Sequence, residues 1–220
     1  MRRRLTELRD AGVRQLSLSA DVFHQSYVDP ACVTRLWTAA RDVFGPRGVR
    51  ARRWRFLKAP LDLRTASDEE RRAAYTRALA EHAERMTGRA ARELAPLLPG
   101  RPAASFADES CGEALRDSGH VHIDPHGYIF PGTCAGLLLG RASAAHPLDA
   151  VLAAPRGPLW RLLVEGGPVR LLALATPLGY GERPGGYADK CHLCTSVRTF
   201  LYERGQYAEE LGPREMYAEE

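Results

Sequence analysis

The sequence of 220 residues lacks any long apolar run, and this absence excludes several classes of protein. No segment approaches the roughly 20 apolar residues that a membrane-spanning helix needs. The N-terminus is basic at residues 2–4, but charged residues follow where a secretory signal would continue with an apolar stretch. We therefore expect a cytoplasmic protein with no membrane partner, in a reducing compartment where cysteines seldom form disulfides.

The sequence also has little lysine. Lys58 and Lys190 are the two lysines among 31 basic residues, and the net charge of +4 is small. Basic residues are interleaved with aromatic ones only over residues 50–55, a run that also has the character of a strand. We therefore expect no nucleic-acid partner.

Motifs of several enzyme classes are missing as well. The chain has no P-loop, no dinucleotide-binding glycine fingerprint and no nucleophile elbow. A hydrolase or transferase built from the histidines and a nearby acid such as Asp124 therefore has little support.

What is present in residues 1–99 predicts helices that alternate with strands. A helix over residues 5–11, a strand over 14–20, a helix over 30–44 and a strand over 49–57 follow one another. In the first strand Leu16 and Leu18 share one face, while Ser17 and Ser19 share the other. This order is typical of βα units around a parallel sheet, so we expect an α/β (α+β) fold.

The composition changes after Pro60, where helical segments and then a linker are expected to close the first domain. Ser67 and Glu70 have the spacing of a capping box, and an Ala-rich helix is expected to run from there to Met86. A second helical piece leads to a Pro- and Gly-rich linker. We therefore place one domain at residues 1–99 and a second at 103–220.

The second domain is expected to contain a β-hairpin and several helices. Residues 121–123 and 128–130 alternate like strands, and Asp124-Pro125-His126-Gly127 has turn chemistry. Short helices are expected at 147–152 and 158–165, followed by an apolar run at 169–175. A Gly- and Pro-rich loop, 176–188, then leads to Cys191 and Cys194.

Four of the five cysteines form the most specific pattern in the sequence. Cys191 and Cys194 have C-x-x-C spacing, and the hairpin lies between Cys111 and Cys134. We predict that these four thiols bind one metal centre. Spacing alone does not separate zinc from a 4Fe-4S cluster, and a redox pair or buried thiols are the alternatives for Cys191 and Cys194. Cys32 is predicted to be a thiol of the core.

Histidines near these cysteines are alternative zinc ligands. His120 and His122 lie two residues apart and share a face if the segment is extended, and His126 follows in the turn. A solvent-facing polar side is the commoner explanation for such a pattern. His192 is expected to be exposed on the turn between Cys191 and Cys194.

The second domain resembles the auxiliary-cluster region of radical SAM enzymes, of the SPASM or shorter twitch type. The resemblance rests on the segment Val121–Pro131, on Cys134, on Leu139-Gly140 and on the closing pair Cys191 and Cys194. In that family a cysteine, a Gly-containing hairpin, a second cysteine and a later pair bind one auxiliary 4Fe-4S cluster. The gap from Gly127 to Cys134 is somewhat longer here than in the family. The resemblance implies a single twitch-like cluster held by Cys111, Cys134, Cys191 and Cys194.

The first domain resembles the same family. Residues 16–24 are similar to the fourth strand of the radical SAM partial (β/α) barrel. The resemblance implies that Ser17 and Ser19 lie beside S-adenosylmethionine and that Arg53 or Arg55, on the next strand, reaches its carboxylate. Plain filling of the barrel is the alternative for these residues. The implied fold is a partial barrel fragment followed by a small cluster-binding domain of a hairpin and helices.

The sequence departs from the family in one decisive respect. The C-x-x-x-C-x-x-C motif that binds the SAM-cleaving cluster is absent from it. The resemblance therefore implies an iron-sulfur protein that does not cleave SAM alone and is an enzyme only if a companion chain supplies the missing half. A homo-oligomer, and a peptide or small-molecule substrate, are further expectations. The alternative function is a zinc-stabilised, non-enzymatic binding module.

Overall fold

The computed structural model describes residues 1–116 and 119–217. It divides into two compact units, Met1–Ala83 and Glu84–Glu220, which are called unit 1 and unit 2 below. The linker expected between residues 99 and 103 lies inside unit 2.

The elements are numbered in chain order. Those of unit 1 are α1 (Arg2–Asp10), β1 (Leu16–Ser19), α2 (Pro30–Phe44), β2 (Val49–Arg52), α3 (Trp54–Lys58) and α4 (Asp68–Glu81). Those of unit 2 are α5 (Arg89–Glu93), α6 (Gly112–Arg116), β3 (Val121–Ile123), β4 (Tyr128–Pro131), β5 (Gly140–Arg141), α7 (Leu148–Ala153), α8 (Pro158–Ala175) and α9 (Lys190–Glu203). The chain is thus a mixture of helices and small sheets.

Strands β1 and β2 of unit 1 pair in parallel and are connected through α2. Leu16 is opposite Val49, and Ser19 is opposite Arg52. Leu18 and Val49 are buried in a small core with Leu5 of α1. The predicted β-α-β order and parallel pairing are confirmed for this pair of strands.

Helix α2 begins and ends where its sequence signals predict. The Asp29 side chain accepts a hydrogen bond of 2.8 Å from the Ala31 N–H, and Pro30 occupies the first turn. Gly45 follows with a φ of 74°. The capping box of α4 is also confirmed, since the side chains of Ser67 and Glu70 each accept a hydrogen bond from the other's backbone N–H.

The second half of the strand predicted over residues 49–57 is wrong. The backbone turns at Arg53, whose φ is 59°, and α3 follows. Phe56 and Leu57 are both buried there. A strand would point these consecutive side chains to opposite faces, whereas a helix brings both toward one core, so tertiary packing decides against the strand.

Helix α4 is shorter than predicted. It ends at Glu81 rather than at Met86, and the backbone of the next residue, His82, is extended. Met86 is 1% exposed in unit 2, and its N–H donates to the Asp189 carboxylate. The apolar character of Met86 therefore marks a core position of unit 2 and not a continuation of α4.

The core of unit 2 surrounds α8 and α9. Leu159, Leu163 and Leu171 of α8 are fully buried with Leu193 and Val197 of α9. α8 consists of two helical segments that meet at Gly167, where φ is 66°. A Cβ atom at Gly167 would lie 2.1 Å from the Glu109 carbonyl oxygen, so glycine allows the chain just before Cys111 to approach α8.

The predicted hairpin of unit 2 is confirmed. Strands β3 and β4 pair antiparallel, with His122 opposite Phe130, and β5 joins the other edge of β4. The Asp124 carboxylate accepts hydrogen bonds from the N–H groups of His126 and Tyr128, at 2.8 and 2.9 Å. This side-chain bonding stabilises the turn and orients the strand that leads to Cys134.

In the part of the chain that the structure describes, no helix combines the length and the apolar character needed to cross a bilayer.

Candidate metal centre

Cys191 and Cys194 lie in the first turn of α9. The Asp189 side chain caps this helix by accepting the His192 N–H at 2.7 Å, and its other oxygen accepts the Met86 N–H at 3.2 Å. Residues three apart in a helix share a face. The cap therefore sets the start of α9 so that both sulfurs lie on one side of it.

A lysine of α9 holds the segment of Cys111 nearby. Lys190 Nζ donates to the Ser110 carbonyl at 2.9 Å and lies 3.7 Å from a Glu109 carboxylate oxygen. The Cys111 N–H donates to the Leu163 carbonyl of α8 at 3.0 Å. These bonds connect Cys111 to the two helices that form the core of unit 2.

An arginine of α9 holds the segment of Cys134 in the same way. Arg198 Nη1 donates to the Ala135 carbonyl at 3.0 Å. On the other side of the cysteine, the Thr133 hydroxyl donates to the Ala114 carbonyl at 2.7 Å, just after Cys111. Both cysteines that lie far away in sequence are thus connected to the elements around the C-x-x-C pair.

Gly136 completes the contact between Arg198 and the Cys134 segment. Arg198 Nη1 lies 3.1 Å from the Tyr217 hydroxyl, which itself donates to the Gly136 carbonyl. Gly136 has a φ of 83°, and a Cβ atom there would lie 2.6 Å from the Tyr217 oxygen. Glycine is therefore required at this position for both conformational and steric reasons.

Burial and nearby charges raise the pKa of three of the four thiols. Burial first, and then the charges of Asp189, Cys134 and Cys111, raise the pKa of the Cys191 thiol to about 12. Burial, opposed by Arg198, also raises the pKa of Cys194, and the pKa of Cys111 rises through burial and then through Cys134. Cys111 and Cys134 pack against the same core of unit 2 that contains Cys194.

Arg198 is a buried cation beside these thiols. It is 2% exposed and forms no ion pair with a carboxylate in the described parts of the chain. Its Nε is buried without a hydrogen-bond partner. Burial lowers the pKa of Arg198, but Tyr217, Cys194 and Cys134 outweigh burial and raise it. A buried charge is costly unless an opposite charge compensates it, so this position favours negative charge on the cysteines.

The chemistry of the donor set fits a metal centre. Four thiols are present, and the charges of Lys190, Arg198 and Arg85 partly offset the burial that raises the pKa of Cys111, as Arg198 does for Cys194. Among residues 1–116 and 119–217, however, no three His, Cys, Asp or Glu side chains are already close enough together to hold a metal ion. Binding would therefore have to draw the four sulfurs closer than the structure has them.

Comparisons with known proteins identify no relative of this chain. No family model, no curated protein and no solved structure matches it. The arguments about function therefore rest on the residues and their geometry.

Two of the predictions around the cysteines are wrong. His192 is 5% exposed rather than exposed on a turn, because α9 packs its first turn against the core and Tyr187 contacts the His192 ring edge-on. Cys32 is exposed rather than buried, because it lies on the outer side of α2, where Arg35 contacts its sulfur at 3.1 Å. No disulfide involves the five cysteines.

The alternative histidine ligands lie on the surface. His120, His122 and His126 are all exposed, and the rings of the first two meet edge-on at 5.1 Å. The pair therefore does share a neighbourhood, as its spacing predicts, but it lies on the solvent side of the hairpin.

Of the four residues of unit 1 that the resemblance implied for SAM binding, two lie on a strand and two do not. Ser17 and Ser19 are exposed on β1, on the face opposite the buried Leu18. Arg53 and Arg55 do not lie on β2: Arg53 forms the turn after it, and Arg55 is in α3, where it pairs with Glu81. The expectation of a strand arginine is corrected for both, because the strand ends at Arg52.

Sequence reasoning missed several residues in both units. Arg50 and Arg52 are the parallel partners of Ser17 and Ser19 and share their exposed side of the sheet. The alternation of apolar and basic residues along 49–52 could have indicated that these two arginines share the exposed side of the strand. Arg198 and Tyr217 are the residues missed near the cysteines. Arg198 has a weak signal, since it lies one helical turn after Cys194, whereas nothing in the sequence around Tyr217 indicates its contact.

Proposed function

We propose that this chain binds an auxiliary 4Fe-4S cluster through Cys111, Cys134, Cys191 and Cys194. The single observation that carries the proposal is the Arg198 guanidinium, which is buried next to Cys134 and Cys194 with no carboxylate partner in the described residues. Four ionised thiols on a cubane core form an anionic centre, which supplies the negative charge that this guanidinium lacks.

The elements of unit 2 support the same proposal. A cysteine, a hairpin, a second cysteine and a closing pair occur in the order of a twitch-like cluster, and the hairpin is present at β3 and β4. When bound, such a cluster would transfer single electrons or help to anchor a peptide or small-molecule substrate, with each of its four irons held by one of these cysteines. The residues of the chain itself hold it: α9 supplies two ligands, and Lys190 and Arg198 hold the segments of the other two.

For unit 1 we propose part of a radical SAM-like barrel. The parallel β1–β2 pair with its connecting helix supports this, as does the exposed polar side of Ser17 and Ser19. In the described residues each of these strands pairs along one edge, so its other edge offers backbone groups to a further strand. A companion chain or a second copy would supply that strand, and only a companion chain would also supply the SAM-cleaving cluster.

The test is purification of the full chain without oxygen, followed by metal and sulfide analysis. We expect a brown protein with about four iron and about four sulfide per chain. Replacing each of the four cysteines by serine is expected to abolish or strongly reduce iron retention. Cys32→Ser is the matched control, since Cys32 is an exposed cysteine of unit 1, and it is expected to retain iron like the parent.

Zinc analysis of the same preparations separates the alternatives. A colourless protein with one zinc per chain, lost in the cysteine variants, would support a zinc-stabilised binding module in place of the cluster. A protein that retains neither iron nor zinc would contradict both functions. Light scattering on the purified chain tests the companion strand separately, because a well-behaved monomer counts against an open edge that needs a partner.

A further inference from the structure

A cleft of about 750 Å³ lies in unit 2 on a different side of α9 from the cysteines. It is called the α9 cleft here and is lined by Arg92 of α5, the loop at residues 180–183, Tyr217 and one face of α9. Thr195 and Thr199 are on that face, whereas Cys191, Cys194 and Arg198 are on the adjacent one. Its volume falls within the range of small-molecule pockets, about 300–1,000 Å³.

Two arginines and one glutamate give the lining of the α9 cleft a net positive charge. Arg92 and Arg183 both line it and are both exposed. Neither guanidinium has an ion pair or hydrogen bond within the described residues. Arginine binds carboxylate and phosphate groups through two parallel hydrogen bonds, so an oxyanion is the ligand group that these side chains favour.

Aromatic side chains form another part of the wall. The rings of Tyr202 and Tyr217 stack with centroids 4.8 Å apart and an interplanar angle of 22°, and both line the cleft. The hydroxyl groups of Thr195 and Thr199 donate to backbone carbonyls, which leaves their oxygens as acceptors. A planar or aromatic ligand body that carries an N–H group fits such a surface.

We propose that the α9 cleft binds a small organic anion, a carboxylate or phosphate carried on a planar body. Arg92 and Arg183 bind the anionic group, and the tyrosine pair contacts the body. Glu203, which also lines the cleft and has no partner in the described residues, limits the affinity through repulsion. The proposal does not depend on the cluster, since none of these groups is one of the four cysteines.

Calorimetric titration of the full, anaerobically purified chain tests the proposal with three probes of similar shape. Hippurate carries a carboxylate, an amide N–H and a phenyl ring, while hippuramide lacks the negative charge. Phenyl phosphate tests the phosphate source. We expect hippurate or phenyl phosphate to bind, and hippuramide to bind at least about tenfold more weakly.

Variants assign the binding to the arginines. The double variant Arg92→Gln with Arg183→Gln is expected to bind the anion at least about tenfold more weakly than the parent. Glu203→Gln is expected to bind it about two- to threefold more tightly. Arg161→Gln is the matched control: Arg161 is an exposed arginine of α8 outside the cleft, and its loss should leave the affinity unchanged. All of these side chains are on the surface, so circular dichroism should show parent-like folding.

The outcomes are distinct. Binding of hippurate alone would identify carboxylates as the ligand class, and binding of phenyl phosphate alone would identify phosphate esters. Either result supports the proposal if the double variant loses the affinity. Equal affinity for hippurate and hippuramide overturns it. So does an unchanged affinity in the folded double variant, or no binding of either anion at millimolar concentration. Iron and sulfide contents are measured on the same samples, so a failure here is distinguishable from a failure of the cluster proposal.

Discussion

The candidate residues of the two units differ in what holds them in place. In unit 1, Ser17 and Ser19 lie on an exposed strand surface opposite Arg50 and Arg52. In unit 2, Cys194 is part of a large core that is formed by α8 and α9, and the other cysteines are held beside it. Packing therefore constrains the cysteines strongly, whereas the surface residues of unit 1 are free to vary without loss of the fold.

The largest expected effect comes from removing the buried cation of unit 2. Binding of the metal centre should raise the free energy of unfolding of the parent protein. In Arg198→Met this gain should be about 3 kcal/mol smaller, because the anionic centre loses its buried counter-charge. In the metal-free form the same variant should change stability by less than about 1 kcal/mol, since an uncompensated guanidinium is also removed. Urea unfolding of the loaded and chelator-treated forms measures both.

Arg50→Met in unit 1 is the matched control for that comparison. Arg50 is exposed on β2, so its replacement should cost less than about 0.5 kcal/mol in either form. If Arg198→Met and Arg50→Met behave alike in the loaded protein, Arg198 does not compensate the charge of a metal centre.

A second prediction compares two glycines with positive φ. Gly136→Ala in unit 2 should destabilise the protein by about 3 kcal/mol, because the new Cβ atom would meet the Tyr217 oxygen at 2.6 Å in addition to the backbone strain. Gly12→Ala in unit 1 has a φ of 98° and open space around its Cβ position, so it should cost about 1 kcal/mol. Thermal or urea unfolding gives both values, and equal losses would show that the contact of Gly136 with Tyr217 contributes nothing.

A third prediction concerns alkaline pH and the metal-free protein. The pKa of Cys191 is raised from near 9 to about 12 in the folded state, and the pKa of Cys194 is also raised. An acid with a raised folded pKa contributes stability below its unfolded pKa and loses that contribution as pH rises toward the folded value. The urea midpoint of the metal-free protein should therefore fall above about pH 9.

Serine variants assign that alkaline loss to unit 2. Cys191→Ser should reduce the fall in the urea midpoint, because a serine hydroxyl does not ionise in this range. Cys32→Ser, at the exposed cysteine of unit 1, should leave the pH dependence unchanged. An identical pH profile for Cys191→Ser and Cys32→Ser would contradict the assignment.

Local sequence signals predicted much of the secondary structure. Features that depend on hydrogen bonds or dihedral angles within a few residues were predictable. They are the Asp29-Pro30 start and Gly45 end of α2, the capping box at Ser67 and the turn at Asp124. The strand expected beyond Arg52 failed for the opposite reason. There the burial of both Phe56 and Leu57 in one core required a helix, and that requirement comes from distant parts of the chain.

The candidate site was predictable only in part. The chemistry of four thiols and the spacing of Cys191 and Cys194 are properties of the sequence, and so is the hairpin between Cys111 and Cys134. The buried surroundings were not predictable, since His192 was expected on the surface and Cys32 in the core, and the structure has the reverse. Burial of a side chain near a helix end depends on what packs against that helix, which the local pattern does not contain.

By itself, the sequence determined the types of donor group and the alternating character of β1. Only the tertiary structure decided that Lys190 and Arg198 hold the segments of Cys111 and Cys134 beside α9, and that the Arg198 guanidinium is buried there without a carboxylate within the described chain. The physical reason is the distance in sequence between the groups that interact. Caps, turns and alternation arise from neighbours in sequence, whereas a buried charge and its compensation arise from groups that only folding brings together.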